Sequence, residues 1–309
     1  MSTAVQTVDA RFTLIAVHMF TSVVDLFTGN DSVRMTFNPT ENVIRVDSML
    51  LSNQAILRVV MSGSGRAGEL LGPIQQTGRK QTLLFDSKAL CTVLKHAGRA
   101  ASMDLEPHVD HLNIIARGSD GQELTRHCVR CSDDGTSSAG GEDETLVDVD
   151  QIIDEIAYPC VTVVNAYQLR RNLKIPCDET VIFRDGHTLR FLTDHTAVQT
   201  TMLLPMDMSQ TQLDPRVAYK AQFGKAATSL LTRAARVACN SVKPDRKRRR
   251  EEPCDNDEDA DDSVGSPQTV QLFLSSDDPI GLKCRIGSHD SSSLIIFVSS
   301  RTGDEDEDE

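Results

Sequence analysis

The chain has 309 residues, 39% of them hydrophobic, which is long enough for two ordinary domains, each with its own core; with 4% aromatics and no Trp, those cores must rest on Val, Leu, Ile and Met. No run approaches the roughly 18 consecutive apolar residues of a membrane helix, and no basic-then-apolar leader opens the chain, so a soluble protein that is not secreted is expected. The formal net charge of −13 argues against a nucleic-acid partner only if it is evenly spread, and it is not.

From the N-terminus, residues 10–15 alternate as a strand, and Val17, Phe20, Val24 and Phe27 then recur at helical spacing until Gly29. Strands are expected over 32–37, 43–48, 54–61 and 81–85. A helix follows from Ser87, with Asp86 as its cap, Leu90, Val93, Leu94 and Ala97 on one face and Gly98 as its stop. Three strands come next, over 103–106, 111–116 and 123–130. The second half repeats the order: strand 161–164, helix 166–173, strands 180–184, 188–193 and 198–204, then strand 217–223, helix 225–238 and strands 269–275, 282–286 and 294–299. A strand, a helix and three strands thus occur four times, and independent errors would not line up in this way.

Residues 132–144 are rich in Ser, Gly and Asp and form a flexible crossover; 145–156 carry Leu146, Val147, Val149, Ile152, Ile153 and Ile156 among acids, a composition suited to lying along a surface. The expected organisation is an N-terminal domain over 1–131, a connecting loop over 132–157, a C-terminal domain over 158–303 and an acidic tail over 304–309. A charged insertion, expected to be disordered, interrupts the second domain at 241–267. Residues 243–262 hold six Lys/Arg and nine Asp/Glu, a net of −3, and the tail adds −6, so the body carries only −4. Such a body has room for a local basic surface. The eight cysteines, Cys91, Cys128, Cys131, Cys160, Cys177, Cys239, Cys254 and Cys284, are scattered, which fits reduced thiols inside a cell.

The stretch from Thr269 to Glu309 runs strand, Asp-Asp-Pro turn, strand, polar turn, hydrophobic strand and acidic tail. It resembles the C-terminus of the proliferating cell nuclear antigen (PCNA) family of DNA sliding clamps. "VIRVDSMLLSNQAILRVVM", "LLFDSKALCTVLKHAG", "LVDVDQII" and "LLTRAARV" resemble further PCNA segments in the same order. The resemblance implies an α+β clamp fold of two similar domains, each with two strand-helix-three-strand units, helices lining a hole and sheets outside. It also implies three chains closed head to tail by pairing of edge strands, as heterologous interfaces must close or polymerise. The implied role is a processivity factor without a catalytic centre or cofactor, encircling double-stranded DNA without sequence preference and docking DNA polymerase, clamp loader and the peptides of replication and repair proteins. Two alternatives stay open: one subunit of a heterotrimeric checkpoint clamp, and a viral-type factor acting as monomer or dimer.

If helices line a hole, their outer faces should carry Lys and Arg to neutralise phosphates. The second helix offers Lys88, Lys95 and Arg99, the third Arg170, Arg171 and Lys174, and the fourth Lys225, Arg233 and Arg236. The first shows His18, Thr21, Ser22 and Asp25 on its polar face and no cation, unlike the basic family counterpart. Carried over from the family, a pocket for partner peptides would be lined by Met49, Ile152, Pro279 and Phe297, with Phe297 standing where the family often has Tyr. Arg184-Asp185-Gly186 stands where eukaryotic PCNA has Lys-Asp-Gly, so ubiquitin attachment there is not expected. The basic run Lys243, Arg246, Lys247, Arg248, Arg249 and Arg250 has the composition of a nuclear import signal, so a nuclear location is expected.

Two patterns compete with this reading. Gly63-Ser64-Gly65-Arg66-Ala67-Gly68 after a strand, with Asp86 about twenty residues on, is formally a dinucleotide fingerprint, but Gly72-Pro73 interrupts the helix such a site requires. Cys128 and Cys131 with His108 and His111 are zinc-ligand types, yet a single CxxC lies on strands whose alternation already accounts for it, and no metal site is expected. No Ser/His/Asp or Cys/His set stands at a spacing characteristic of a nucleophilic enzyme.

Overall fold

The computed structural model describes residues 10–28, 32–50, 55–63, 69–74, 78–131, 158–174, 178–195, 198–214, 219–240, 268–276, 278–287 and 292–300. The expected crossover, the surface segment with Ile152, the charged insertion and the acidic tail lie outside them.

The four-unit pattern is realised. The first unit is β1 (Phe12–Leu14), α1 (Val17–Val24), β2 (Ser32–Asn38), β3 (Val43–Leu50) and β4 (Ala55–Ser62), and the second is β5 (Gln81–Asp86), α2 (Ser87–Ala97), β6 (Ser102–Pro107), β7 (His111–Arg117) and β8 (Glu123–Arg130). The third is β9 (Cys160–Asn165), α3 (Ala166–Leu173), β10 (Glu179–Asp185), β11 (Thr188–His195) and β12 (Val198–Pro205). A short β13 (Gln212–Leu213) precedes the fourth, which is β14 (Lys220–Gly224), α4 (Lys225–Asn240), β15 (Thr269–Leu274), β16 (Ile280–Arg285) and β17 (Ser293–Val298). Element ends shift by up to three residues, as at β1, β14 and β16, and two further details differ from the sequence reading. The first helix tightens into a 3-10 turn at Asp25–Phe27 instead of continuing as α, a common way to finish a helix whose last side chains, here Leu26 and Phe27, are buried. β13 was not foreseen, because two residues carry no periodicity.

Helix starts follow local chemistry. The Asp86 carboxylate accepts the Ala89 N–H at 2.7 Å at the start of α2, and the Asn165 side-chain oxygen accepts from Tyr167 and Gln168 at 3.0 and 3.1 Å at the start of α3.

Each unit sends its first strand to its neighbour's meander. β1 joins β6-β7-β8, and β14 joins β12-β11-β10, giving two four-stranded sheets. β5 joins β4-β3-β2, and β9 joins β15-β16-β17. These two sets fuse where β4 pairs antiparallel with β17, from Ala55↔Val298 to Val60↔Ser293, and with the short β13 added beside β9 one nine-stranded sheet spans both halves of the chain. The four α-helices of the described residues lie on the inner, core-forming faces of the sheets. There the apolar alternation closes one continuous core around Phe12, Phe20, Phe37, Phe85, Phe191 and Phe223. α1 touches α2 and α4, and α4 packs along α3, where Tyr167 Oη donates to the Cys239 carbonyl at 3.2 Å and Thr232 Oγ1 to the Leu173 carbonyl at 3.0 Å. The helices therefore form one contiguous layer.

The outer sheet faces carry buried charge that is paired. Arg58, 5% exposed, donates through Nε to the Asp47 carboxylate at 2.8 Å, and Arg45 approaches the second Asp47 oxygen at 3.2 Å. In the first small sheet, Asp104 accepts from Thr13 and Arg117 at 2.7 and 2.6 Å, and Glu106 from Arg11 at 2.8 Å, which pins the short β1 to β6.

Candidate nucleic-acid interface and docking groove

The helical layer is the first candidate surface. On α2, Lys88 and Lys95 are exposed, seven residues apart on one stripe opposite Leu90 and Leu94, and Arg99 is exposed in the turn that follows the helix. On α3 and just beyond it, Arg171 and Lys174 are exposed and Arg170 is half-buried; on α4, Lys225 and Arg236 are exposed and Arg233 is half-buried. Seven of the nine cations chosen from sequence stand on the helices, and Arg99 and Lys174 stand just past the ends of α2 and α3; their surroundings differ. The Lys95 ammonium lies 3.0 Å from an Asp25 carboxylate oxygen and 3.3 Å from Thr28 Oγ1. Arg233 donates through one terminal nitrogen to the Asp25 backbone carbonyl at 2.9 Å, while its Nε is buried with no hydrogen-bond partner among the described residues. Burial lowers the Arg233 pKa, and the nearby Asp25 partly offsets this.

Between the C-terminal ends of α1, α2 and α4 lies a cleft of about 280 Å³, lined by Ser22, Asp25, Thr28, Lys95, Arg233, Arg236 and Val237. The rest of the polar face of α1 is occupied locally, with the Thr21 and Ser22 hydroxyls donating to the His18 carbonyl. No cation from α1 reaches the layer, as its sequence implied. The sequence reading placed Asp25 on that face but missed its partner, because the pairing depends on how α1 and α2 pack.

The second candidate surface is a row across the outer face of the nine-stranded sheet. Strand register aligns Met49 with Ile56, Ile56 with Phe297, Phe297 with Gly281, Gly281 with Phe273 and Phe273 with Val161. Ile295 and Phe297 form a small apolar cluster with Ile56 and Tyr158, separate from the main core. The Tyr158 ring stands 5.4 Å from Phe273 and 6.3 Å from Phe297, and its hydroxyl donates to the Pro279 carbonyl at 3.0 Å. Burial raises the Tyr158 pKa, with a smaller contribution from Asp278. Gly281 is required in this row: a Cβ there would lie 2.7 Å from Phe297 Cε1 and 2.9 Å from Phe273 Cβ.

Of the four pocket residues chosen from sequence, Phe297 lies in this cluster, Met49 lies two strands away beside Ile56, Pro279 accepts from Tyr158 through its carbonyl, and Ile152 lies outside the described residues. Sequence reasoning missed Tyr158 and Phe273. The six basic residues of the expected import signal also lie outside the described residues.

The competing patterns lead elsewhere. Beyond the Gly-rich segment, the Gly72 N–H donates to the Thr13 carbonyl at 2.8 Å and Leu71 bridges to Leu14, so β1 and not a phosphate-binding helix receives this stretch. His108 and His111 stack with ring centroids 4.4 Å apart, His111 Nδ1 meets Asp110 at 2.6 Å, and His108 Nε2 lies 3.1 Å from the Asn113 amide. Among the described residues no group of three or more His, Cys, Asp and Glu is gathered for a metal.

The sheet edges complete the picture. β8 ends the first small sheet and β12 the second. They hold the positions in units two and three that β4 and β17 hold in units one and four. Leu124 on β8 and Leu203 on β12 are 52% and 57% exposed.

No family profile matches the chain, and no curated protein matches it. Solved structures do. A PCNA from Entamoeba histolytica superposes with a TM-score of 0.64 at 12% identity, covering 96% of this chain and 100% of that one. PCNA from Thermococcus kodakaraensis gives 0.64 at 14%, covering 94% and 100%. A PCNA2–PCNA3 complex from Sulfolobus tokodaii gives 0.61 at 10%, covering 94% and 99%. The chain has the fold of the PCNA sliding clamps over nearly its whole length.

Proposed function

We propose that this chain is a subunit of a DNA sliding clamp, a non-enzymatic ring that encircles duplex DNA and docks other proteins on its outer face. The observation that carries the reading is the pair of open edges. Within the chain, the meander edges of units one and four are joined as β4 and β17; the equivalent edges of units two and three, β8 and β12, end their sheets. A second copy that repeats the internal junction pairs β8 of one chain with β12 of the next. It covers Leu124 and Leu203 and leaves a further β8 and β12 at the two ends of the assembly. Such head-to-tail contact continues until a ring closes.

The contiguous helical layer then faces the hole, and its Lys and Arg supply binding to phosphates that is independent of sequence. The row Met49, Ile56, Phe297, Phe273 and Tyr158 lies on the opposite, outer face, with the shape and chemistry to seat apolar anchors of a partner peptide. A homotrimer is the expected assembly. The basic run at 243–250 is proposed as a nuclear import signal, which a fluorescent fusion losing nuclear accumulation on removal of that run would support.

The deciding experiment joins mass and topology. Light scattering of the purified chain is expected to give three copies per particle. Protein loaded onto closed circular DNA should stay through a high-salt wash and leave once the circle is cut. Release that does not depend on cutting removes the encircling reading. A stable monomer that assembles only with another clamp-like chain replaces the homotrimer by an assembly of unlike subunits.

A further inference from the structure

We propose that Asp25 is a built-in competitor for DNA phosphate: its carboxylate occupies Lys95 in the cleft between α1, α2 and α4, and it thereby sets how tightly the helical layer grips the duplex. The inference rests on the clamp reading and specifies how its inner surface is regulated.

Three observations support it. The cleft collects three cations, Lys95, Arg233 and Arg236, against one carboxylate, so its charge is net +2 and suits an anion. Asp25 already sits among them, 3.0 Å from the Lys95 ammonium. Its side chain is 55% exposed and that of Lys95 44%, so the pair lies at the surface a phosphate would approach. Arg233 donates through one nitrogen to the Asp25 carbonyl, and its buried Nε has no hydrogen-bond partner among the described residues. A phosphate oxygen entering the cleft would find Arg233 and Arg236 on its wall, but it meets a resident negative charge that must give up Lys95. A surface ion pair of this kind, screened by solvent on both partners, is weak enough for a duplex to displace. Thr28, whose Oγ1 accepts from Lys95, adds a hydroxyl donor on the same wall.

The alternative role for Asp25 is positional, holding Lys95 and Arg233 in place for DNA, and it predicts the opposite sign. The test is a salt titration of binding to a linear 30-base-pair duplex by fluorescence anisotropy, on the assembled wild-type protein, Asp25→Asn, and Asp25→Asn combined with Lys95→Gln. Asp25→Asn is expected to bind several-fold more tightly at low salt. Its plot of log affinity against log salt should steepen by about 0.9 per released cation, the slope of one phosphate contact. Lys95→Gln should remove that gain, because Lys95 is the group set free. Affinity that is unchanged or weaker in Asp25→Asn, with a thermal melt within a few degrees of wild type, overturns the proposal. If Asp25→Asn melts well below wild type, Asp25→Ser, which also removes the charge, is titrated in its place and read by the same criteria. Retention on circular DNA, measured alongside, separates the two inferences. If retention holds and Asp25→Asn shows no gain, only the competitor role falls. If retention fails while Asp25→Asn binds the linear duplex more tightly, the encircling reading falls and the competitor role stands.

Discussion

Gly281→Ala tests the docking row through one methyl group. Two effects oppose each other. Alanine in a strand interior should gain roughly 0.5–1 kcal/mol over glycine by restricting the unfolded chain. The added Cβ, however, would lie 2.7 Å from Phe297 Cε1 and 2.9 Å from Phe273 Cβ. The Phe297 ring edge could swing aside, but Phe273 Cβ is fixed to β15 and moves only with its strand. Forcing a methylene into a packed site costs about 1–3 kcal/mol, so the clash outweighs the entropy gain and the net loss is about 1–2 kcal/mol. At about 2–4 °C per kcal/mol for a chain of this size class, the melting temperature should fall by roughly 2–8 °C. Calorimetry of Gly281→Ala, Phe297→Leu and the double variant checks both size and cause. Because leucine lacks the ring edge, the double variant should lose at least about 0.5 kcal/mol less than the sum of the singles. A Gly281→Ala protein as stable as wild type, or an additive double variant, would show that the two rings do not close over Gly281.

Other expectations follow from the same structure. Asp47→Asn leaves the buried Arg58 without the carboxylate that accepts its Nε and should cost about 3–5 kcal/mol in a denaturant melt. Leu124→Asp or Leu203→Asp, both exposed in the single chain, should leave its fold intact by circular dichroism while lowering the particle mass in light scattering. Burial pushes the thiols of Cys91 and Cys131 up to about 11 and that of Cys284 up to about 12, from 9.0. Their folded values are raised, so the associated stability is complete below pH 9 and is lost as pH rises from 9 towards 11 to 12, where the unfolded chain releases those protons first. Melting temperatures should hold level up to pH 9 with respect to these thiols and decline above it, and Cys284→Ala should decline less steeply. Among the six described cysteines, exposed Cys128 should react first with a thiol reagent in the folded protein.

Much of the fold was legible because its signals are local. Asp86 before Ser-Lys-Ala-Leu announced a capped helix, and the α2 that formed begins where the cap placed it. The alternation in 123–130 delimited β8 to the residue. What escaped depended on partners distant in the chain. Nothing in β4 or β17 alone shows that Ile56 meets Phe297, since both are strands buried on two faces and either could have packed elsewhere. Tyr158 sits in a stretch with no periodicity, beside Pro159, and acquires its role only when β9 lies next to β15. Asp25 fell on the polar face of α1 by spacing, but its ion pair required the helix to tighten and α2 to pack alongside. The family resemblance supplied Met49, Pro279 and Phe297 where periodicity could not.

The β4–β17 seam also bears on how the chain comes to be folded. While the protein is being synthesised, β2, β3 and β4 can form their meander early, but the neighbour that shields the outer side of β4 does not exist until residue 298 has emerged. Through most of synthesis, a strand of Ala, Ile, Leu and Val lies at an open edge, the situation in which nascent chains pair with each other. The central join of the largest sheet is thus among the last contacts available to the growing chain, and its slow, long-range closure would be the step at which a chaperone has most to protect.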